Sequence, residues 1–119
     1  MWTDHCIQDG DSTFPPTLKM YANDLIVKKG MSKHVDAYSG FMDNTKTLKT
    51  ELDSALISKG ISKLIITGIA TDVCVLETVK DALSDLTADY EVCHCHLPQF
   101  TCTPHMTHEP EGGSQPAAN

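Results

Sequence analysis

The sequence holds no apolar run near the ~20 residues a membrane-crossing helix needs, so no span is expected. It has no cluster of lysine or arginine, and its formal net charge is −7. A nucleic-acid surface, which requires a basic patch, is therefore excluded as a reading. The opening stretch "MWTDHCIQDGDS" lacks the basic and apolar regions of a secretory signal peptide. Cysteines number five, an odd count. Without a signal they do not read as a disulfide framework, and a reducing cytoplasmic location is the expectation. There is no internal repeat and only one tryptophan. What is present is a 119-residue chain, 40% hydrophobic, long enough for one small domain with a core.

Strand and helix patterns alternate along it. "DLIVKKG" predicts a strand near Leu25 to Lys28 ending in a glycine turn. "TKTLKTELDSALISKG" predicts a helix near Thr47 to Ser58, with Leu48, Leu52, Ala55 and Leu56 on one face and Gly60 at its C-cap. "SKLIITGI" is apolar and β-branched throughout, which predicts a strand near Leu64 to Gly68 covered on both faces. "TDVCVLETVKDALSDL" repeats apolar residues at helical spacing and predicts a helix from about Asp72 to Leu86, with Thr71 or Asp72 as N-cap. "DYEVCHC" is a candidate third strand. The alternation predicts an α/β fold, a parallel sheet with flanking helices, over residues 1–96. Residues 97–119 carry Pro, Gly, Ser, Thr and His with almost no apolar periodicity, and read as a disordered tail.

Cys74 falls one turn into a helix that follows an apolar strand. In a parallel α/β unit that place borders the ligand crevice. Helix N-termini favour thiolates, and their N–H groups can hold an oxyanion. The same residue also fits a small apolar packing role, since free cysteines are often buried. Lys29 ends another strand and would lie at the same edge of the sheet. It reads either as a thiolate partner or as a surface lysine flanking a turn. His5 is a candidate metal ligand, but one histidine makes no metal site.

"WTDHCIQDG", "VKKG", "VDAYSGF.DN" and "GIATDVCV..T..DA", in this order and spacing, resemble the nicotinamidase branch of the isochorismatase-like cysteine hydrolases. The resemblance runs from Trp2 to about Val92. It implies an isochorismatase-like, Rossmann-like sheet and hydrolysis of nicotinamide to nicotinic acid and ammonia, a step of NAD salvage. Cys74 would be the nucleophile and Lys29 the catalytic lysine. The N–H groups of Ala70 and Cys74 would form the oxyanion hole, beside a cis Ile69–Ala70 peptide. Trp2 and Tyr38 would line the ring pocket. His5 would be one ligand of a divalent metal of zinc or iron type.

The resemblance also implies what is missing. The family's catalytic aspartate and its other metal ligands precede the "W..HC" segment, so the chain reads as truncated at its N-terminus with an atypical C-terminal tail. Metal binding is expected to be weak or lost. In the family's strand order 3-2-1-4-5-6, "LIVK" is the third strand and "LIITGI" the fourth, so two strands would be absent between them. The expected partners are nicotinamide, and a second copy or another chain that supplies the missing strands. An inactive fragment or isoform that at most binds a partner is the alternative function. In the tail, Cys93, Cys95, Cys102, His105 and His108 include ligand types that zinc uses. They lack paired C-x2-C and H-x3-H spacing and apolar wrapping, so an incidental Cys/His-rich tail is expected.

Overall fold

The computed structural model describes residues 3–104, apart from 9, 11, 85, 97 and 98. Helix α1 is Leu52–Ser58, strand β1 is Lys63–Ile66, and a π-helical turn, Thr71–Val75, runs directly into α2, Leu76–Ser84. Strands β2, Glu91–His96, and β3, Gln99–Pro104, follow. β1 pairs in parallel with β2, Lys63 opposite Glu91 and Ile66 opposite His94. β3 runs antiparallel to β2, giving the order β1-β2-β3. The parallel pair with its crossover helix is a βαβ unit, and the fold is α/β as the alternation predicts. Among the described residues no helix is long and apolar enough to cross a membrane.

The core forms where α2 packs on the inner face of the sheet. Val79 and Ala82 of α2 meet Val92 of β2, together with Phe41, Met42 and Tyr90. The rings of Phe41 and Tyr90 stack with centroids 6.2 Å apart. This contact ties the segment before α1 to the residue that leads into β2.

Several expectations are corrected. Residues 25–28 form no strand: they have no ladder partner among the described residues, and Leu25 and Ile26 are about half exposed. They neither pair with β1 nor belong to the sheet. The first helix begins at Leu52 instead of Thr47, because backbone groups of 47–50 are committed elsewhere. Leu48 O, which a helix from Thr47 would give to Leu52 N–H, accepts Asp43 N–H at 3.0 Å, and Leu52 N–H goes to Thr50 Oγ1 at 3.2 Å. Thr47 and Leu48 N–H donate to the Asp43 carboxylate, at 3.0 and 3.2 Å, and Thr50 N–H donates to Phe41 O at 2.8 Å. Leu48, placed on the apolar face from spacing, is 55% exposed. Gly60 does close the helix: it has φ +65°, donates to Ile57 O, and lets Ile61 N–H reach Leu56 O at 3.1 Å.

β1 is covered on one face only. Leu64 and Ile66 turn inward, while Ile65 is 66% exposed beside the outward Lys63–Glu91 pair. An all-apolar strand sequence cannot distinguish one covering layer from two. The second helix begins as a π-turn, because Val75 N–H bonds back five residues to Ala70 O at 3.1 Å. Ala70, not Thr71 or Asp72, is its N-cap, and no side chain caps it. β3 lies within the segment read from sequence as a disordered tail, and residues 105–119 lie outside the described residues.

Candidate active site

β1 leads through Gly68, at φ +147°, and a cis Ile69–Ala70 peptide into the π-turn. A glycine adopts that φ without the penalty a side chain would meet. Cys74 sits in this turn, half-buried, at the C-terminal end of the parallel strand. Its sulfur makes no hydrogen bond among the described residues. Ala70 is exposed, and its N–H meets no acceptor among the described residues. π-turns inside helices are often found at functional sites.

The loop 37–41 faces this turn, and side chains hold its backbone from all sides. Lys29 Nζ donates to Ala37 O at 3.1 Å and to Tyr38 O at 2.5 Å. Tyr38 N–H donates to Asn44 Oδ1 at 3.1 Å. Gly40 N–H donates to Thr78 Oγ1 at 3.0 Å, while Gly40 O accepts from Thr50 Oγ1 at 2.7 Å. Thr78 Oγ1 in turn donates to Cys74 O at 2.6 Å. The buried Ser39 hydroxyl accepts from Phe41 N–H at 3.0 Å. Lys29, Tyr38 and Cys74 are thus joined through one loop.

Lys29 and Cys74 make no direct hydrogen bond among the described residues. A cavity of about 210 Å³ beside Lys29 is lined by Met31, Val35, Ala37, Met42 and Thr50, and Cys74 is not among its walls. His5 is exposed, and its Nδ1–H donates to Thr3 O at 2.7 Å. A carbonyl only accepts, so Nδ1 carries a proton in this contact. Among the described residues no group of three His, Cys, Asp or Glu side chains could hold a metal ion. The residues placed here therefore do not fit the divalent metal that the resemblance implies. Trp2 lies outside the described residues, as do His105 and His108 of the tail.

Two buried carboxylates support the loop. Burial pushes the Asp43 carboxyl up, but hydrogen bonds from Thr47, Thr45 and Leu48 outweigh it and hold the carboxyl below its usual range. Asp81 of α2 is fully buried and pairs with the Lys46 ammonium; its Oδ2 has no hydrogen-bond partner among the described residues. Sequence reading assigned no role to Thr78, Thr50 or Asp81. The available signal was the i, i+3 spacing of Thr78 and Asp81 in "T..DA", which puts both on one helix face.

Residues 2–94 match the family model of the Isochorismatase domain. The nicotinamidase of Escherichia coli is 43% identical over 83 residues, 69% of this chain and 39% of that protein. The nicotinamidase of Acinetobacter baylyi is 39% identical over 83 residues, again 69% of this chain and 39% of that protein. The ureidoacrylate amidohydrolase RutB of Yersinia enterocolitica is 41% identical over 73 residues, 61% of this chain and 26% of that protein. The chain spans about two fifths of the length of the nicotinamidases it matches. No solved structure matches it.

Proposed function

The chain belongs to the isochorismatase family, and from that premise we propose that it carries the nucleophile of a nicotinamidase-type amide hydrolysis. The observation that supports this most is Cys74: half-buried in the turn after β1, its sulfur unpartnered among the described residues, and its helix tied to the Lys29-held loop. The Cys74 sulfur attacks the carboxamide carbon. The C–N bond breaks, and ammonia leaves with the thiol proton. Water then cleaves the thioester and releases the acid. The N–H groups of Ala70 and Cys74 steady the oxyanion. Tyr38 borders the ring, and Lys29 fixes the loop that carries Tyr38 by its two carbonyl contacts.

Nicotinamide is the proposed substrate because two of the relatives are nicotinamidases. Among the described residues no carboxylate bonds to Cys74 and no metal cluster forms. We therefore propose that the chain alone gives only trace turnover and binds zinc or iron weakly. Fuller activity would need a second copy or another chain that supplies the missing strands, for which β1 stands at the end of the order β1-β2-β3 among the described residues.

The test is ammonia release from nicotinamide by the purified chain, with ureidoacrylate in parallel and mass spectrometry for an acyl adduct on Cys74. Trace release from nicotinamide, lost in Cys74→Ala, is expected. Preference for ureidoacrylate overturns the substrate. No release and no adduct with either leaves the partner-binding alternative in its place. A turnover near the enzyme median of about 10 per second overturns the trace-activity reading.

A further inference from the structure

We propose that Thr78 is a positioning residue: its hydroxyl couples the loop 37–41 to the turn that carries Cys74. This rests on the reading of Cys74 as the nucleophile. Thr78 Oγ1 donates to Cys74 O, four residues back, at 2.6 Å. A hydroxyl has one proton to give, so with that proton spent only its lone pairs face outward. One of them accepts Gly40 N–H at 3.0 Å, across 38 positions of sequence. The roles of all the atoms are therefore set by chemistry. A carbonyl cannot donate and an amide N–H cannot accept, and the Thr78 hydroxyl, which does both, bridges them.

Gly40 is gripped at its other end too. Its carbonyl accepts from Thr50 Oγ1 at 2.7 Å. Two residues before it, Tyr38 O accepts from Lys29 Nζ. Moving the loop away from α2 breaks the Gly40–Thr78 contact, and the hydroxyl that stays on Cys74 O loses the amide that polarises it. Thr78 thereby sets the loop against the one helical turn where the reacting sulfur stands. Its methyl bounds the space beside Gly40, where a Cβ built on the glycine would lie 3.7 Å from Thr78 Cγ2. Valine would keep this methyl and lose the bridge, whereas serine would keep the bridge and lose the methyl.

The experiment uses the full chain as wild type, Thr78→Val and Thr78→Ser. Two quantities are read: iodoacetamide labelling of Cys74 by peptide mass spectrometry, and hydrogen exchange of the Gly40 amide. In the wild type, the Gly40 amide exchanges as slowly as the α2 amides. In Thr78→Val, Gly40 exchange rises roughly five- to tenfold, the size a single hydrogen bond carries, Cys74 labelling changes with it, and the Val79 and Val92 amides hold their rates. Thr78→Ser restores both readouts. If Thr78→Val unfolds, the wild-type Gly40 rate and the serine variant still decide. A wild-type Gly40 amide that exchanges freely while α2 is protected overturns the proposal, as does a serine variant unlike the wild type or a valine variant like it. If Cys74 in the wild type labels no faster than Cys6, which is exposed, the nucleophile reading fails while the Gly40 exchange data still judge the coupling.

Discussion

Replacing Lys46 by methionine should cost the domain about 3 kcal/mol. The carboxylate of Asp81 has a fully buried side chain, and its ion pair is with the Lys46 ammonium. Breaking a buried pair by removing one partner typically costs about 3–5 kcal/mol, because the remaining charge has lost its counter-ion. Here the Lys46 side chain is 41% exposed, so water already solvates part of the pair and the lower end of that range applies. Asp81 cannot turn outward to compensate, since its place on α2 is fully buried. Methionine keeps the aliphatic stem of lysine and removes its charge. Urea unfolding followed by circular dichroism, in buffer with sucrose to strengthen burial, measures it. With a slope of about 1–3 kcal/mol per molar urea, the midpoint should fall by about 1–3 M. A double variant, Lys46→Met with Asp81→Leu, should recover most of the loss, because apolar residues replace buried pairs with little net cost. A Lys46→Met midpoint equal to wild type, or a double variant worse than the single one, would refute the reasoning.

Tyr90 should ionise late. Burial, and then the Asp53 carboxylate that accepts its hydroxyl at 2.7 Å, push its pKa from 10.0 up to about 12. A raised folded-state pKa means the native state holds the proton more tightly. That stability is therefore complete below pH 10 and is lost as pH rises toward 12. Tyr90→Phe should remove this alkaline loss, at a cost near neutral pH of about 1.5–3 kcal/mol for one hydrogen bond to a charged group. Absorbance titration of tyrosinate checks it, and all three tyrosines of the chain ionising together near pH 10 would contradict it. Ile65→Thr should change stability by no more than about 0.5 kcal/mol, as exposed substitutions do. A urea midpoint shift worth more than about 2 kcal/mol, the scale of a fully buried isoleucine side chain, would show the outer face of β1 to be covered.

The sequence by itself determined the local rules of this protein. β-branched residues made β1, helical spacing made α2, and Gly60 ended α1 because the chain needed a positive φ there. The motif "GIATDVCV..T..DA" also placed Cys74 in the first turn after a strand, since that placement depends only on neighbours in the chain. Tertiary structure decided whatever depends on a distant partner. Residues 25–28 have strand composition, but no strand is present to pair with them among the described residues. β1 is apolar on both sides, but only one side acquired a covering layer. The first helix lost its opening turn because the Leu48 carbonyl, which would have taken Leu52 N–H in a longer helix, accepts Asp43 N–H instead. Thr78 and Gly40 are 38 positions apart, and Lys46 and Asp81 are 35 apart. A hydrogen bond or ion pair of that span leaves no periodic trace in sequence, because it is fixed by where the fold sets two backbones and not by the order of residues along either one.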